Sequence, residues 1–370
     1  MENLALYRKY RPQTFGEVTG QDDIVKTLSN ALAMDRVAHA YLFCGPRGVG
    51  KTTTARVLAK AVNCLDRKGA EPCNKCANCV AISENRAMDI IEIDAASNRG
   101  IDEARELREG IKFAPSQLKY KVIIIDECHQ LTKDAANALL KTLEEPPKHA
   151  IFILATTEFH KMIPTIISRC QRFDFKKPTV TEISTKLERI AKTEKVKVDK
   201  DALNLIAVNA SGAVRDAEVF LNQVIIFDKD KLITVEEVRQ ILGLIDVKVL
   251  EQFTGCLVKK DTKGAIQYLN EVLDKGYDPH EFAKDVINYF RQMMLLKIDE
   301  RLINPLFANL TREDLEKIKE YVYALEEKDI HRGLNLFLEA QNAIRYSPIP
   351  QLPIELAIVE FLDLGEKVNK

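Results

Sequence analysis

Short, continuous apolar runs alternate with amphipathic stretches through the first half of the chain. Runs of this kind are typical of parallel strands buried on both faces. The predicted strands are Ala40–Cys44, Asp89–Asp94, Lys121–Ile125, Ala150–Ala155 and Gln171–Phe175. The helices predicted before or between them are Asp22–Met34, with Ile24, Leu28 and Leu32 on one face, Thr53–Ala61 and Ile101–Gly110. The alternation predicts an α/β fold with a parallel sheet.

The pattern changes at Lys176–Thr179, and every later segment has helical periodicity. The helices predicted next are Thr181–Thr193, Asp199–Ala210, Ala213–Phe227 and Thr234–Leu242, which Gly243 caps. The last group is Val247–Lys259, Thr262–Lys275, Pro279–Leu296, Thr311–Leu325, Asp329–Tyr346 and a terminal helix from Ile354. We therefore expect three domains, 1–178, 179–243 and 244–370. The last is either an oligomerisation domain or a plain helical bundle.

Composition narrows the class of protein. With 370 residues, 46% hydrophobic and 29% charged, the chain has ample core for two or three soluble domains. A net charge of −1 gives no global attraction to nucleic acid, so any DNA contact must be local. The chain start lacks a signal-peptide pattern and no apolar run reaches membrane-span length, so we expect a cytoplasmic protein.

The segment Gly45–Thr52 has the G-x-x-x-x-G-K-T pattern of a phosphate-binding loop. It lies between a predicted strand and a predicted helix, which is the context the motif requires. Glycines let the backbone approach a triphosphate closely, and the helix N-terminus presents positive charge. Lys51 would contact the β- and γ-phosphates, and Thr52 would bind Mg²⁺. The alternative is a glycine turn without a ligand.

Asp126 and Glu127 follow the most apolar strand. At that position an aspartate orders Mg²⁺ and a neighbouring glutamate polarises the attacking water in phosphate-loop enzymes. A solvated acidic pair is the alternative. Thr156 and Thr157 end the next strand, where their hydroxyls either sense a phosphate or cap the strand.

Four cysteines have the spacing C-x8-C-x2-C-x2-C, namely Cys64, Cys73, Cys76 and Cys79. The spacing suits a closed, tetrahedral zinc site with no position left for water, so we expect a structural metal. Unligated thiols and an iron–sulfur cluster are the alternatives.

Two arginines and the N-terminal segment leave more than one interpretation open. Arg169 follows Ser168 beyond a strand edge, and it either reaches out of the subunit or is simply solvated. Arg215 lies in the first turn of a helix, where the macrodipole disfavours cations, so it faces either an anion or a carboxylate nearby. The extended segment Tyr7–Pro12 is either a tethered arm or a cover for a nucleotide base.

Together these features resemble the clamp-loader ATPases of the AAA+ family. The resemblance is sharp over residues 1 to 178, fair to about 243, and rests on helix order beyond. Its motifs are Tyr7–Pro12, Val18–Gln21, His39–Phe43, the four-cysteine insertion, Glu92–Ser97, Asp126–His129, Asn137–Pro147, Leu154–Thr157 and Ser168–Cys170. One departure is the run Glu218–Gln223, where the family usually has a leucine-rich sequence.

The resemblance implies an AAA+ domain with a zinc-binding insertion at 64–79, a helical lid and an all-α collar domain. It implies that ATP phosphates and Mg²⁺ are held by Gly45, Gly48, Val49, Gly50, Lys51, Thr52 and Thr53, with Asp126 as the Mg²⁺ carboxylate. Glu127 would be the base, Thr157 the first sensor, Arg215 the second, and Arg169 an arginine finger for the neighbouring subunit. The residues implied to line the adenine pocket are Tyr7, Arg11, Pro12 and Val18.

The function implied by the resemblance is ATP-driven opening of a sliding clamp and its loading onto primer–template DNA by an ATPase of the DNA polymerase complex. The expected partners are the delta and delta prime subunits of a pentameric ring, the clamp and DNA, whose phosphates helix N-termini and Arg99 would contact. Polymerase and helicase would be partners only through further C-terminal domains, and no membrane is expected. The alternatives are a branch-migration helicase and a non-hydrolysing scaffold subunit.

Overall fold

The computed structural model describes residues 5–98, 100–227, 232–243, 245–299 and 312–362. These residues form two compact units, one from Met1–Lys197 with Asn209–Ile225 and one from Val198–Val208 with Ile226–Lys370. Each unit has its own hydrophobic core, and each is described separately. Within the described residues, no helix combines the length and apolarity that crossing a bilayer requires.

A five-stranded parallel sheet forms the centre of the first unit. Its strands are β1 Ala40–Cys44, β2 Ile90–Asp94, β3 Lys121–Asp126, β4 Ala150–Thr156 and β5 Gln171–Asp174, in the order β2-β3-β4-β1-β5. The predicted strands are confirmed to within one residue at each end. Cys44 pairs with Thr156, and Asp94 with Asp126, so the polar strand ends share one edge of the sheet. Helices cover both faces, as continuous apolar strands require.

The helices of the first unit extend the predicted set. They are α1 Leu6–Lys9, α2 Asp22–Ala33, α3 Lys51–Asn63, α4 Ala77–Ser83, α5 Ile101–Lys112, α6 Lys133–Glu144, α7 Pro164–Ile167 and α8 Val180–Glu194. The prediction of an extended segment at Tyr7–Pro12 is wrong in part, because Leu6 is buried and anchors one helical turn before Pro12. Helix α3 starts at Lys51, before the predicted Thr53, because Thr54 N–H already bonds to Gly50 O at 2.8 Å.

The remaining elements are helical except for one short strand pair. They are β6 Lys197–Val198, α9 Lys200–Asn209, α10 Val214–Phe227, β7 Leu232–Ile233, α11 Val235–Leu242, α12 Val247–Val258, α13 Thr262–Asp274, α14 Pro279–Ile298, α15 Arg312–Ala324, α16 Glu327–Ile344 and α17 Leu352–Leu362. The expectation that every later segment is helical is therefore wrong at β6 and β7. Gly243 ends α11 with φ of +63°, which confirms the predicted cap. Thr311, the predicted start of one helix, lies outside the described residues, as does Arg99.

The core of the second unit is built around α14. Phe253, Phe282, Phe290 and Phe337 are fully buried there, and their rings contact one another at centroid distances of 5.1 to 6.0 Å. Helix α14 packs extensively against α16 and also contacts α12 and α15. From Val247 to Leu362 the described residues of this unit contain helices and no strand, and they form an all-α body, as the periodicity of the sequence predicts.

Candidate nucleotide-binding site

The loop between β1 and α3 has the backbone conformation that its glycines permit. Gly48 and Gly50 have φ of +79° and +100°, in the region that side chains disfavour. A Cβ at Gly48 would lie 2.8 Å from the Cβ of Ala213, so only glycine lets this loop approach the segment before α10. The loop leads directly into the N-terminus of α3, which gives the arrangement needed to bind phosphates.

Lys51 is held inside this loop. Its side chain is buried, and Nζ donates to the carbonyl oxygens of Gly45 at 2.8 Å and Pro46 at 2.7 Å. Burial lowers the pKa of Lys51, while the carboxylates of Glu127 and Asp126 act in the opposite sense. A buried ammonium with only carbonyl partners is an effective site for a phosphate oxygen.

Thr52 and Asp126 meet at the start of α3. The Thr52 hydroxyl donates to Oδ2 of Asp126 at 2.7 Å, which joins the helix to the end of β3. A hydroxyl and a carboxylate at this distance offer the oxygen ligands that Mg²⁺ prefers, so the donor set fits the ion.

Glu127 has an unusual backbone and a well-defined side chain. Its φ is +47°, and its Oε2 accepts from the Thr157 hydroxyl at 2.7 Å and from Thr157 N–H at 3.1 Å. The structure therefore brings together the predicted base and the predicted first sensor. Thr156, the alternative hydroxyl, instead lies 3.0 Å from Nδ1 of His129.

A cavity of about 470 Å³ opens above the loop, entirely within the first unit. The predicted site residues that line it are Tyr7, Arg11, Pro12, Val18, Gly48, Val49, Gly50, Lys51, Thr52, Thr53, Asp126, Glu127, Thr157 and Arg215. Gly45 begins the loop but does not line the cavity. The volume of the cavity is in the range of sites that bind small molecules.

Arg215 lies at the mouth of this cavity without an ion pair among the described residues. Its guanidinium is 4.7 Å from the centre of the Tyr7 ring, a cation–π contact. No carboxylate of the described residues pairs with Arg215, and the facing anion stays a prediction. An approaching anion would compete with the Tyr7 side chain for this charge.

Arg169 does not line the cavity of its own chain. Its guanidinium donates to Thr165 O at 2.7 Å and to the Ser168 hydroxyl at 3.2 Å, and it forms an ion pair with Glu144. Its side chain is 30% exposed. Arg169 is therefore neither fully solvated nor part of this chain's own site.

Several polar residues that line the cavity were not predicted as site residues from the sequence. Lys186 and Glu218 form an ion pair at 2.8 Å between α8 and α10, and burial raises the pKa of Glu218 more strongly than Lys186 lowers it. His129 is buried between two carboxylates, 3.4 Å from Oε2 of Glu127 and 3.4 Å from Oε1 of Glu158. His129 belongs to the motif Asp126–His129, and Glu218 to the run Glu218–Gln223 that departs from the family pattern, so the sequence does distinguish both positions.

The four predicted metal ligands converge. The Sγ atoms of Cys64, Cys73, Cys76 and Cys79 all lie within 4.8 Å of one another. Backbone N–H groups of Lys75 and Cys76 lower the pKa of the Cys73 thiol to about 6. Four sulfurs at this separation fit a tetrahedral ion with Zn–S bonds of about 2.3 Å. The donor set is therefore chemically suited to zinc.

The phosphate loop, the acidic strand end and the sheet order define the class of protein, an AAA+ phosphate-loop nucleotide-binding fold with an all-α C-terminal unit. Three consecutive segments match families of known proteins. Residues 20–179 match DNA polymerase III, delta subunit; residues 182–230 match DNA polymerase III clamp loader subunit, ATPase lid domain; residues 233–367 match DNA polymerase III subunits gamma and tau domain III.

Individual relatives of the chain are also subunits of DNA polymerase III. The chain is 44% identical over 360 residues to DNA polymerase III subunit tau of Bacillus subtilis, covering 97% of this chain and 63% of the relative. It is 34% identical to DNA polymerase III subunit gamma of Buchnera aphidicola, covering 98% of this chain and 97% of that one. The chain belongs to the DNA polymerase III gamma/tau family.

Among solved structures, the Thermotoga maritima RuvB Holliday junction branch migration motor superimposes with a TM-score of 0.48 at 19% identity, covering 67% of this chain and 79% of that one.

Proposed function

We propose that this chain is the ATP-hydrolysing motor subunit of a clamp loader, which opens the sliding clamp and loads it onto primer–template DNA. The observation that carries the proposal is the meeting of Lys51, the Thr52–Asp126 pair and the Glu127–Thr157 pair in one cavity. The proposal also rests on membership in the gamma/tau family, whose tau member from Bacillus subtilis this chain spans over 63% of its length.

The residues of the cavity have distinct roles in this proposal. Lys51 and the amides of Gly48, Val49, Gly50 and Thr53 bind the ATP phosphates, and Thr52 with Asp126 holds Mg²⁺, which neutralises phosphate charge when bound. Glu127 accepts a proton from the attacking water. Thr157 orients Glu127, and Arg215 leaves the Tyr7 ring to contact the nucleotide. Tyr7, Arg11, Pro12 and Val18 surround the adenine.

Arg169 is proposed to act on the site of the neighbouring subunit. Its position outside its own cavity and its contact with Glu144, at the end of α6, support this role. A cation supplied across a subunit boundary stabilises the charge of the transition state, and it makes hydrolysis depend on correct assembly.

The cysteine module, residues 64–79, is proposed to hold one structural Zn²⁺. Its four sulfurs would fill the coordination shell, so the ion would stabilise the fold and would have no position for substrate. The three predicted segments, 1–178, 179–243 and 244–370, are proposed as the AAA+ domain, lid and collar. The three family matches at 20–179, 182–230 and 233–367 support this division.

The proposed partners are the delta and delta prime subunits in a pentameric ring, the sliding clamp, and DNA bound through its phosphates. Phosphate contacts make DNA binding sensitive to salt and indifferent to sequence. Arg99, the residue expected to contribute, lies outside the described residues.

The test is the ATPase rate of the chain assembled with its partner subunits, with primed DNA present and with clamp added or omitted. The clamp-loader proposal predicts that turnover rises with primed DNA and rises further with clamp. A branch-migration motor would respond to DNA and ignore the clamp. A non-hydrolysing scaffold would give no turnover under any condition.

A further inference from the structure

We propose that the cysteine module buttresses the base-binding segment, residues 7–18, so that metal binding at the four cysteines and nucleotide binding at the cavity strengthen each other. The inference rests on the proposed nucleotide and metal sites. It gives the cysteine module a role in nucleotide affinity beyond its own folding. Two charged side chains, Lys60 and Glu71, carry the connection.

The Nζ atom of Lys60 links helix α3 to the base-binding segment and to the cysteine module. Lys60 lies in the last turn of α3, the helix that starts at Lys51, and only 3% of its surface is exposed. Its Nζ donates to Oε1 of Gln13 at 2.6 Å, to Oδ1 of Asn74 at 2.6 Å and to the Ser83 hydroxyl at 3.4 Å. Gln13 belongs to the base-binding segment, and Asn74 lies between the cysteines.

The positive charge of the buried Lys60 ammonium is not neutralised by these uncharged oxygens. Burial lowers its pKa, and Cys79, Glu17, Cys64 and Cys73 act in the opposite sense when they are ionised. A zinc ion with four thiolates carries two net negative charges, so a loaded site stabilises the buried ammonium. Groups around the ligands of a metal site commonly set its affinity in this way.

Glu71 makes the second connection. It lies in the cysteine module, and its carboxylate accepts from Phe15 N–H at 2.8 Å and from Gly16 N–H at 2.9 Å. Phe15 is 1% exposed, so these bonds fix a segment that is already packed in the core. Hydrogen bonds to a charged acceptor are stronger than neutral ones.

Both connections end beside residues that line the nucleotide cavity. Gln13 directly follows Pro12, and Phe15 lies three positions before Val18; Pro12 and Val18 both line the cavity. When the metal holds the cysteine module in shape, Lys60 and Glu71 hold the base-binding segment in position. Binding energies coupled in this way are reciprocal, so bound nucleotide also retains the metal.

The experiment titrates ADP into the full chain, loaded with zinc or stripped of zinc by a chelator. We expect stripping to weaken ADP binding about tenfold, a coupling of ordinary size, and added zinc to restore it. In the zinc-loaded chain, Glu71→Gln is expected to weaken ADP binding several-fold, because its amide turns a donor toward one of the two N–H groups. Stripping zinc from this variant should then have a smaller effect.

Glu84→Gln is the matched control, since Glu84 lies just beyond α4 and pairs with Arg86 at the surface. A second pair compares zinc retention in Lys60→Met and Lys68→Met, lysines of which only the first is buried. We expect Lys60→Met alone to lose zinc faster to a chelator, by about tenfold.

Equal ADP affinity in loaded and stripped wild-type chain would overturn the inference. So would a zinc-loaded Glu71→Gln variant that binds ADP as tightly as wild type, a result that does not depend on whether the stripped chain stays folded. If the loaded wild-type chain binds no ADP, the proposed function itself fails. If it binds ADP but independently of zinc, only the coupling fails.

Discussion

At the scale of single residues, Glu127 shows how the site is prepared before any ligand binds. Its left-handed backbone turns the side chain toward Thr157, whose hydroxyl and N–H both donate to Oε2. A carboxylate held by two donors and approached by His129 keeps a defined position. The proposed base is thus oriented by its neighbours rather than by the nucleotide alone.

Replacing Glu127 with Gln removes the proton acceptor and keeps the shape of the side chain. We expect ATP binding to persist and turnover to fall by a factor of about 10² to 10⁴, the usual contribution of a general base. ATP titration and the steady-state ATPase rate of the assembled complex measure the two effects. Glu106→Gln, an exposed site on α5, is the control. Undiminished turnover in Glu127→Gln would remove Glu127 from the role of base.

The sequence predicted the residues whose spacing is a motif, and missed those that only the fold brings together. Lys51 and Asp126 stand in local patterns that each follow a predicted strand, and the carboxyl ends of parallel strands share one edge of a sheet. Lys186 and Glu218 are 32 positions apart on two lid helices, and nothing in either helix pattern indicates that they pair over the cavity. The family resemblance implied that Arg215 contacts the nucleotide. Its stacking on Tyr7 could not be predicted, because it depends on the unexpected helical turn Leu6–Lys9.

At the scale of elements, the strands of the sheet could be predicted from their composition more accurately than the helices around the site. Strands β3 and β4 are buried along almost their whole length, so their apolar residues are uninterrupted. Helix α4 was not predicted because its seven residues begin inside the cysteine module and its second residue, Asn78, is of a type that favours turns. Helix α6, which Thr132 caps, begins four residues before the motif Asn137–Pro147, and a motif alone does not show where a helix begins.

Helix α8, the first helix of the lid segment, begins with a capping box. The Thr179 hydroxyl accepts from Glu182 N–H at 3.2 Å, and Oε2 of Glu182 accepts from Thr179 N–H at 2.7 Å. Thr179→Ala leaves the first of these donors unsatisfied, so the free energy of unfolding should fall by about 1 kcal/mol. Urea denaturation measures the change. Thr185→Ala, in the interior of the same helix, should cost less; equal losses would contradict the cap.

We expect the four cysteines of the cysteine module to act together. Cys76→Ser removes one thiolate from a proposed closed site, so we expect the chain to release its zinc and residues 64–79 to lose protection against hydrogen exchange. Elemental analysis and exchange measured by mass spectrometry test the two parts. A wild-type chain that folds fully with no metal detected would defeat the zinc proposal.

At the scale of the whole molecule, the nucleotide cavity and the all-α body belong to different compact units. Every residue that lines the cavity lies in the first unit, including Arg215 and Glu218, which reach it from α10. Four residues that line the cavity thus come from the predicted lid segment, far along the chain from the phosphate loop, namely Lys186, Val214, Arg215 and Glu218. Arg169 alone among the proposed catalytic residues lies away from the cavity, which is the arrangement expected of a residue that serves another subunit.

The most direct test of this account is the ATPase rate of the assembled loader carrying Arg169→Ala, measured with clamp and primed DNA. An arginine supplied across a subunit boundary contributes about a thousandfold or more to phosphoryl transfer, so we predict a loss of that order. ADP affinity of the isolated variant should match wild type, and Arg105→Ala, an exposed arginine on α5, should leave turnover unchanged. Turnover of the Arg169→Ala assembly equal to that of the wild-type assembly would contradict the account.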